Sequence, residues 1–207
     1  MLSILIVCTL LMSGWRGQQS ELTGLDLRTD EIYHLIRQWY PSEAIRFNHF
    51  QQLRDVQLRL LRIAKQSSRS RDAVIDELLR VLAEPDVKAY HNYYLLWYLV
   101  CDSLGELRAN QAIPTLIEAL DKTDGLESFS VDSRPVVLGL IKIGEPAVPE
   151  LCRVLTVLNS PSIARIHAAE ALFNIGGSVA TAALSRALET ETDEAVRNLI
   201  AHYVNAK

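Results

Sequence analysis

The sequence predicts an all-α fold in which antiparallel helix pairs stack into an α-solenoid, preceded by a helical N-terminal extension. The first observation is an internal repeat of an apolar residue, a glycine, a short polar stretch and an amphipathic helix that ends in leucine. The three copies are LGELRANQAIPTLIEAL (104–120), IGEPAVPELCRVL (143–155) and IGGSVATAALSRAL (175–188). Their glycines, Gly105, Gly144 and Gly176, lie roughly 39 and roughly 32 residues apart, which is the range of paired-helix repeats.

The composition is the second observation, because it provides a core for such a stack. Hydrophobic residues make up 49% of the 207 positions, which is enough to bury a continuous core. A helix pair has two apolar sides, so each unit needs a neighbour and the units grow into a row. The net charge of −4 lacks the basic excess of a dedicated nucleic-acid binder, so no nucleic-acid partner is expected.

Residues 1–17 are predicted to be a signal peptide or an N-terminal anchor. The apolar run LSILIVCTLLM (2–12) is too short for a transmembrane helix, which needs about 20 residues, but has the length of a signal-peptide core. No cation precedes it, since the first is Arg16. We therefore expect an extracytoplasmic protein, periplasmic or secreted, with a membrane-anchored or a cytoplasmic protein as the alternatives.

Residues 24–71 are predicted to be the helical extension and its linker. A short helix over 30–40 ends at Pro41, and Ser42 caps a long helix that runs to Lys65. One face of the helix 42–65 is basic, and a solvated face is the expectation; peripheral contact with an anionic membrane, a nucleic acid or an acidic protein surface is the alternative. The cations of that face are Arg46, Arg54, Arg59, Arg62 and Lys65. The polar stretch 66–71 is the predicted linker.

Residues 72–205 are predicted to be the repeat solenoid. Apolar residues at helical spacing predict helices over 72–83 and 87–104, joined by a turn at 84–86. Proline near the first turn opens the second helix of a unit, since the missing N–H costs nothing there. The residues expected to begin helices are Pro114, Ser133, Pro146, Ser160 and Asp193.

The three repeated stretches, together with ARIHAAEALFNIG (164–176), resemble HEAT-like repeats of the phycobilisome-lyase type. The resemblance covers 72–205 and implies a HEAT-like solenoid whose concave surface holds another protein. It also implies a minority alternative, because some such proteins attach bilins to phycobiliproteins or help to assemble complexes. A related enzyme, deoxyhypusine hydroxylase, holds iron on His-Glu pairs. Here Ala168 follows His167 and no other histidine precedes a glutamate, so neither a metal nor another cofactor is expected.

Six residues are candidates for contact with a protein partner. Tyr94 and Trp97 lie on one stripe of the aromatic stretch 89–101, and interfaces are rich in such residues. Packing of that stretch against the long N-terminal helix is the expected arrangement, with partner contact as the alternative. Phe129 is an apolar residue within the acidic connection 121–134. The remaining candidates lie on the polar faces of successive second helices and are Glu118, Arg153 and Arg186.

No catalytic motif points to a reaction. His167 and Glu170 are spaced i, i+3 on a helix, but a structural role is expected of both, and Cys101 and Cys152 lie in apolar helical patterns typical of buried thiols. The expected function is a non-catalytic protein–protein interaction scaffold or assembly factor. A bilin lyase-like enzyme or a chaperone of phycobiliproteins is the alternative.

Overall fold

A computed structural model describes residues 26–39, 50–88, 93–122, 134–157 and 160–206. These residues form eleven α-helices and contain no strand, which confirms the predicted all-α class. The helices are α1 Asp26–Arg37, α2 Phe50–Ala64, α3 Ser68–Ala83, α4 Pro85–Lys88, α5 Tyr94–Glu106, α6 Ile113–Glu118, α7 Pro135–Ile143, α8 Val148–Thr156, α9 Ser162–Ile175, α10 Gly177–Thr190 and α11 Glu194–Asn205.

From α5 onward the helices form two layers. The first-helix layer contains α5, α7, α9 and α11, and each of these packs against the next one along the chain. The second-helix layer contains α6, α8 and α10, which contact each other in the same order. Cross-contacts between α8 and α9 and between α10 and α11 close the layers on each other. The chain is therefore a HEAT-like α-solenoid, as the repeats predicted.

One hydrophobic core runs through the described residues, from Ile32 in α1 to Ile200 in α11. It includes the N-terminal helices, because α2 and α3 pack on each other and both contact α5. The predicted linker 66–71 is wrong in its second half. Ser67 caps α3 by accepting a hydrogen bond from the backbone N–H of Ser70 (3.0 Å), so the helix begins at Ser68.

The repeat register differs from the prediction at the first glycine. Gly105 lies inside α5 rather than at the turn, and the turn after α5 contains no glycine. The equivalent positions in the three repeat units are three buried alanines. Each alanine is followed by leucines four and eight residues later, which is the spacing of one helical face. These sets are Ala112, Leu116 and Leu120; Ala147, Leu151 and Leu155; and Ala180, Leu184 and Leu188. The units are thus roughly 35 and roughly 33 residues long.

Other helix boundaries follow the prediction with shifts. Pro114 lies at the first turn of α6, as predicted. In α8 the equivalent residue is Pro149 and not Pro146, which lies in the preceding 3-10 turn Glu145–Ala147. Asp193 is the predicted cap of α11 and accepts from the N–H groups of Ala195 (3.0 Å) and Val196 (3.2 Å). The predicted helix 87–104 begins at Tyr94, after the separate turn α4.

Several expectations fall outside the described residues. These are the signal peptide or anchor (1–17), the start of the long helix (42–49), Ser133 and most of the connection 121–134. Within the described ranges, no helix is both long enough and apolar enough to cross a bilayer.

A buried polar cluster joins the first-helix layer to α2. The carboxylate of Asp102, which is only 2% exposed, accepts hydrogen bonds from Arg54 (2.6 Å), Gln57 (2.8 Å) and Lys142 (2.5 Å). Burial alone would raise the pKa of Asp102, but these three donors outweigh it and hold the pKa below its ordinary value. Because the donors come from α2 and α7, one carboxylate on α5 ties three helices together. We call Asp102, Arg54, Gln57 and Lys142 the Asp102 cluster.

The same layer is joined further along by two more ion pairs. Arg134, the residue before α7, contacts Glu170 in α9. Arg165 in α9 forms two hydrogen bonds to Glu191, from Nε to Oε2 (2.8 Å) and from Nη2 to Oε1 (3.0 Å). The carboxylates of both pairs and the guanidinium of Arg165 are buried. The first pair joins the start of α7 to α9, and the second joins α9 to the C-cap residue of α10, two residues before the cap of α11.

Candidate protein-binding surface

Three predicted candidates occupy one position of the repeat. Glu118, Arg153 and Arg186 each lie two residues after the central buried leucine of a second helix. Two residues correspond to about 200° of rotation in an α-helix, so their side chains lie opposite the core. All three are exposed. We call Glu118, Arg153 and Arg186 the charged row, since stacking of α6, α8 and α10 places them along one face of the second-helix layer.

The charges of this row are little used inside the protein. Arg153 pairs with Glu150 one turn earlier (Nη2 to Oε2, 2.6 Å), but the two side chains are 66% and 42% exposed, so the pair contributes at most about 1 kcal/mol. Glu118 forms no ion pair within the described part of the chain. Arg186 lies near the Cys152 thiol. Burial raises the pKa of that thiol, and the positive charge of Arg186 partly opposes the rise. The row is therefore open to a partner's charges.

A groove with both apolar and polar lining residues adjoins the charged row. It is a depression of about 510 Å³ at the start of α8 and α10, next to a second depression of about 430 Å³ that shares Ile141, Gly144 and Glu145 with it. Val179 is 63% exposed, the most exposed large hydrophobic residue of the described ranges. The apolar side chains that line the larger depression are Ile141, Val148, Pro149, Ile175, Val179 and Ala180. We call this depression the edge groove.

The edge groove and the charged row form one surface. Pro149 and Arg153 are four residues apart on α8, and Val179 and Arg186 are seven apart on α10, so each pair lies on one helical face. A partner that covers Val179 therefore meets both arginines within two helical turns. Together we call the edge groove and the charged row the partner-binding surface.

Left-handed backbone at two turns shapes the groove. Gly144 (φ 86°) ends α7 and Gly176 (φ 74°) ends α9, a conformation that residues with a Cβ adopt only with strain. The chain reverses within one to four residues at these points, so the first turns of α8 and α10 lie beside the ends of α7 and α9. The cleft between those ends is the groove.

The other three partner-contact candidates lie elsewhere. Trp97 is 1% exposed, and its indole N–H donates to the carbonyl of Val87 (2.9 Å), so it belongs to the core and not to a contact surface in this structure. Tyr94 is half-buried against the same core. Phe129 lies outside the described residues.

His167 and Glu170 have separate structural partners. The Nδ1 of His167 lies 2.6 Å from the carbonyl oxygen of Leu120, and because a carbonyl can only accept, this nitrogen is the donor. Burial lowers the pKa of His167, which favours the neutral ring. Burial also raises the pKa of Glu170, although its partner Arg134 opposes the shift. In the described ranges, no three His, Cys, Asp or Glu side chains are grouped as metal ligands.

Both described cysteines carry free thiols. Cys101 is fully buried in α5, and burial raises its thiol pKa far above the ordinary value. Cys152 is only half-buried, on the second-helix layer. The expected buried state thus holds fully for Cys101 and only in part for Cys152.

The sequence reasoning missed the Asp102 cluster and the edge groove. The sequence does carry a signal for the cluster, because Asp102 interrupts the apolar run YLLWYLVC with a charge that needs a buried partner. It carries no comparable signal for the choice of Arg54 from the three arginines of α2. The groove depends on how consecutive turns are placed side by side, which the repeat register alone does not specify.

The match to a known protein family covers one repeat unit of this chain. The family model described as PBS lyase HEAT-like repeat matches residues 102–122, which contain the end of α5 and all of α6. No curated protein matches the sequence. Eleven chains of solved structures match. One is an engineered protein with a crystal structure, at 15% identity, with coverage of 84% of this chain and 95% of that chain and a TM-score of 0.27.

Proposed function

We propose that this HEAT-like repeat protein is a non-catalytic scaffold or assembly factor that holds a protein partner on the partner-binding surface. The observation that carries the proposal is the continuity of the edge groove with the charged row. A depression with an exposed apolar residue, Val179, and bordered by exposed charge fits a protein interface, in which a buried apolar anchor is surrounded by a polar rim.

The surface also indicates the chemistry of its partner. Val179, Pro149 and Ile175 offer an apolar floor, so the partner supplies an apolar side chain to cover them. Arg153 and Arg186 lie beyond that floor and favour carboxylates on the partner. A segment with one apolar anchor followed by acidic residues fits both parts.

Differential affinity capture from the native cells tests the proposal. Wild-type protein, the double variant Arg153→Glu/Arg186→Glu and the groove variant Val179→Asp are crosslinked and purified side by side, with Arg197→Glu on exposed α11 as the matched control. We expect one stoichiometric protein to be captured by the wild type and the control and to be lost from both surface variants. Its affinity for purified protein should then fall at least tenfold in the double variant.

Equal capture by all four proteins would remove this surface from the proposal. Circular dichroism and thermal unfolding of each variant show whether a loss of capture is a loss of fold. All three changes lie at exposed positions, so the variants should unfold close to the wild type.

The alternative is a bilin lyase-like enzyme or chaperone of phycobiliproteins, and the description of the matched repeat favours it. The same captures separate the two functions, because a coloured phycobiliprotein subunit among the products supports the alternative. Mass spectrometry of the protein's own N-terminus tests the expected export. A trimmed N-terminus supports an extracytoplasmic scaffold, and an intact Met1 favours the membrane-anchored or cytoplasmic alternatives.

A further inference from the structure

A second surface lies at the opposite end of the described chain, where α2 passes into α3. Leu58 is 45% exposed there, on the outer face of α2. Arg62 follows one turn later, with its Nε donating to the carbonyl of Leu58 (3.3 Å), and Lys65 follows after a further turn. Arg59 beside Leu58 and Arg69 in the first turn of α3 are exposed as well. We call Leu58, Arg59, Arg62, Lys65 and Arg69 the cationic corner.

The cations of this corner have few acidic partners. Within the described ranges, Arg62, Lys65 and Arg69 form no ion pair, and Arg59 has one long contact to Glu31 (3.8 Å) between two side chains that are more than half exposed. Arg54, which also lies in α2, differs from these residues because it forms an ion pair with Asp102. Of the basic face predicted for the helix 42–65, Arg46 lies outside the described residues, and the exposed described cations continue from α2 into α3.

We propose that the cationic corner binds an anionic phospholipid surface, with Leu58 inserted between the headgroups and the surrounding cations on their phosphates. Arg62 and Lys65 carry aliphatic stems beside Leu58, so the centre of the patch is apolar and its rim is positive. An interfacial site on a bilayer needs this arrangement.

The apolar centre distinguishes a membrane from a polyanion. A nucleic-acid backbone would pair with the four cations but would leave Leu58 in water, and the chain as a whole is acidic, with a net charge of −4. Lipid headgroups satisfy the cations and the leucine at the same time. The corner lies on α2 and α3, whereas the partner-binding surface lies on α6 to α10, so this inference does not depend on the proposed function.

Vesicle co-sedimentation of the full chain tests the proposal. The probes are vesicles of phosphatidylcholine alone and of phosphatidylcholine with phosphatidylglycerol. We expect binding to the anionic vesicles only, and weaker binding as salt is raised. Arg62→Gln/Lys65→Gln/Arg69→Gln should lower the partition coefficient roughly a hundredfold, at about fivefold per cation. Leu58→Gln should lower it about tenfold.

The matched control removes three cations from exposed positions at the other end, in Arg153→Gln/Arg186→Gln/Arg197→Gln. This variant has the same net charge and the same N-terminal apolar run as the test variant, and it should bind the anionic vesicles like the wild type. An equal loss in both triple variants, or equal binding to the neutral vesicles, would overturn the proposal. So would an unchanged affinity of Leu58→Gln combined with release by a DNA oligonucleotide, which would identify a polyanion site.

Discussion

The two helix layers place their charges in opposite ways. In the first-helix layer, Asp102, Glu170 and Arg165 are buried and each is paired with a residue from another segment of the chain. In the second-helix layer, Glu118 and Arg186 are exposed, and the pair of Arg153 with Glu150 joins two exposed neighbours on a single helix. The same repeat thus carries charge that aligns its units on one side and charge that faces solvent on the other.

Buried and exposed ion pairs differ in what their loss costs the folded state. A buried ion pair contributes little net stability compared with apolar packing, but removal of one partner leaves an uncompensated charge and costs about 3–5 kcal/mol. Exposed pairs contribute about 0–1 kcal/mol. The first-helix layer therefore tolerates few substitutions at its buried charged positions, while the exposed charged positions of the second-helix layer tolerate substitution.

The largest expected effect is at the centre of the first-helix layer. Asp102→Ala should destabilise the protein by about 3–5 kcal/mol, because Lys142 and Arg54 lose their shared acceptor. Asp102→Asn should cost less, about 1–3 kcal/mol, since one oxygen still accepts while its amide faces donors. Denaturant unfolding measures both. A change below 1 kcal/mol in Asp102→Ala would show that the layer is held by apolar packing alone.

The next effect concerns the close approach of α5 and α7. A Cβ on Gly105 would lie 2.6 Å from the Cβ of Lys142 and 3.2 Å from the carbonyl oxygen of Gly139. Gly105→Ala should therefore cost about 1–3 kcal/mol by overpacking, despite the better helix propensity of alanine.

Gly144 is the control for that substitution, because the nearest atom to a Cβ there is the carbonyl oxygen of Ile141 at 4.0 Å, while the backbone has a positive φ. Gly144→Ala and Gly144→Asn should each cost at least about 1 kcal/mol, because φ 86° with ψ −142° is a region that only glycine adopts readily. Gly105→Asn should cost more than Gly105→Ala, because the larger side chain meets the same close contacts. Equal costs of alanine and asparagine at Gly105 would contradict a steric origin there.

Acidification should change the stabilising contribution of the buried carboxylates in opposite directions. Burial raises the pKa of Asp102 and of Glu191, but hydrogen bonds, from Lys142 and from Arg165 respectively, outweigh it and leave both pKa values lowered. Their stabilisation is therefore present above the ordinary values of 3.8 and 4.5 and is lost as pH falls through the folded values. Burial raises the pKa of Glu170, so protonation of Glu170 favours the folded state as pH falls.

Thermal unfolding between about pH 7 and about pH 3 checks these signs. Relative to the wild type, Asp102→Asn should lose less stability on acidification and Glu170→Gln should lose more. The same slope in the two variants would mean that neither carboxylate contributes to the acid response.

The smallest effect is expected in the second-helix layer. Arg153→Glu/Arg186→Glu should change the free energy of unfolding by no more than about 1 kcal/mol, because both side chains are exposed and the Arg153–Glu150 pair contributes at most about that much. Denaturant unfolding measures it alongside Asp102→Ala. A loss comparable to that of Asp102→Ala would remove the contrast between the layers.

The fold was predictable from sequence because it depends on periodic burial. The leucines at 116, 151 and 184 recur on one helical face, and this pattern identifies the second helices without any knowledge of their neighbours. The register of the first unit was not predictable in the same way. Gly105 resembles Gly144 and Gly176 in sequence, but its role is close contact between two helices, which only the packed structure reveals.

The candidate surface was predictable in part for the same reason. Helical periodicity assigns Glu118, Arg153 and Arg186 to the polar side of their helices, and the structure exposes all three. Trp97 follows an equally regular pattern, yet its face turns inward because α5 is apolar on most sides. Periodicity gives the direction of a side chain relative to its own helix, whereas burial depends on what packs on every face.

The turn after α5 is supported by a residue that precedes the predicted repeats. A fragment of this solenoid that keeps the turn intact must therefore be longer than the repeat sequence. Arg108 adopts a left-handed conformation (φ 46°) that is strained for a residue with a Cβ. The guanidinium of Arg71 supports that turn by donating from Nη2 to the carbonyls of Leu107 (2.5 Å) and Arg108 (3.3 Å). A fragment excised at Asp72 would lose this support, so a dissected repeat array should begin at Ser67, where α3 is capped.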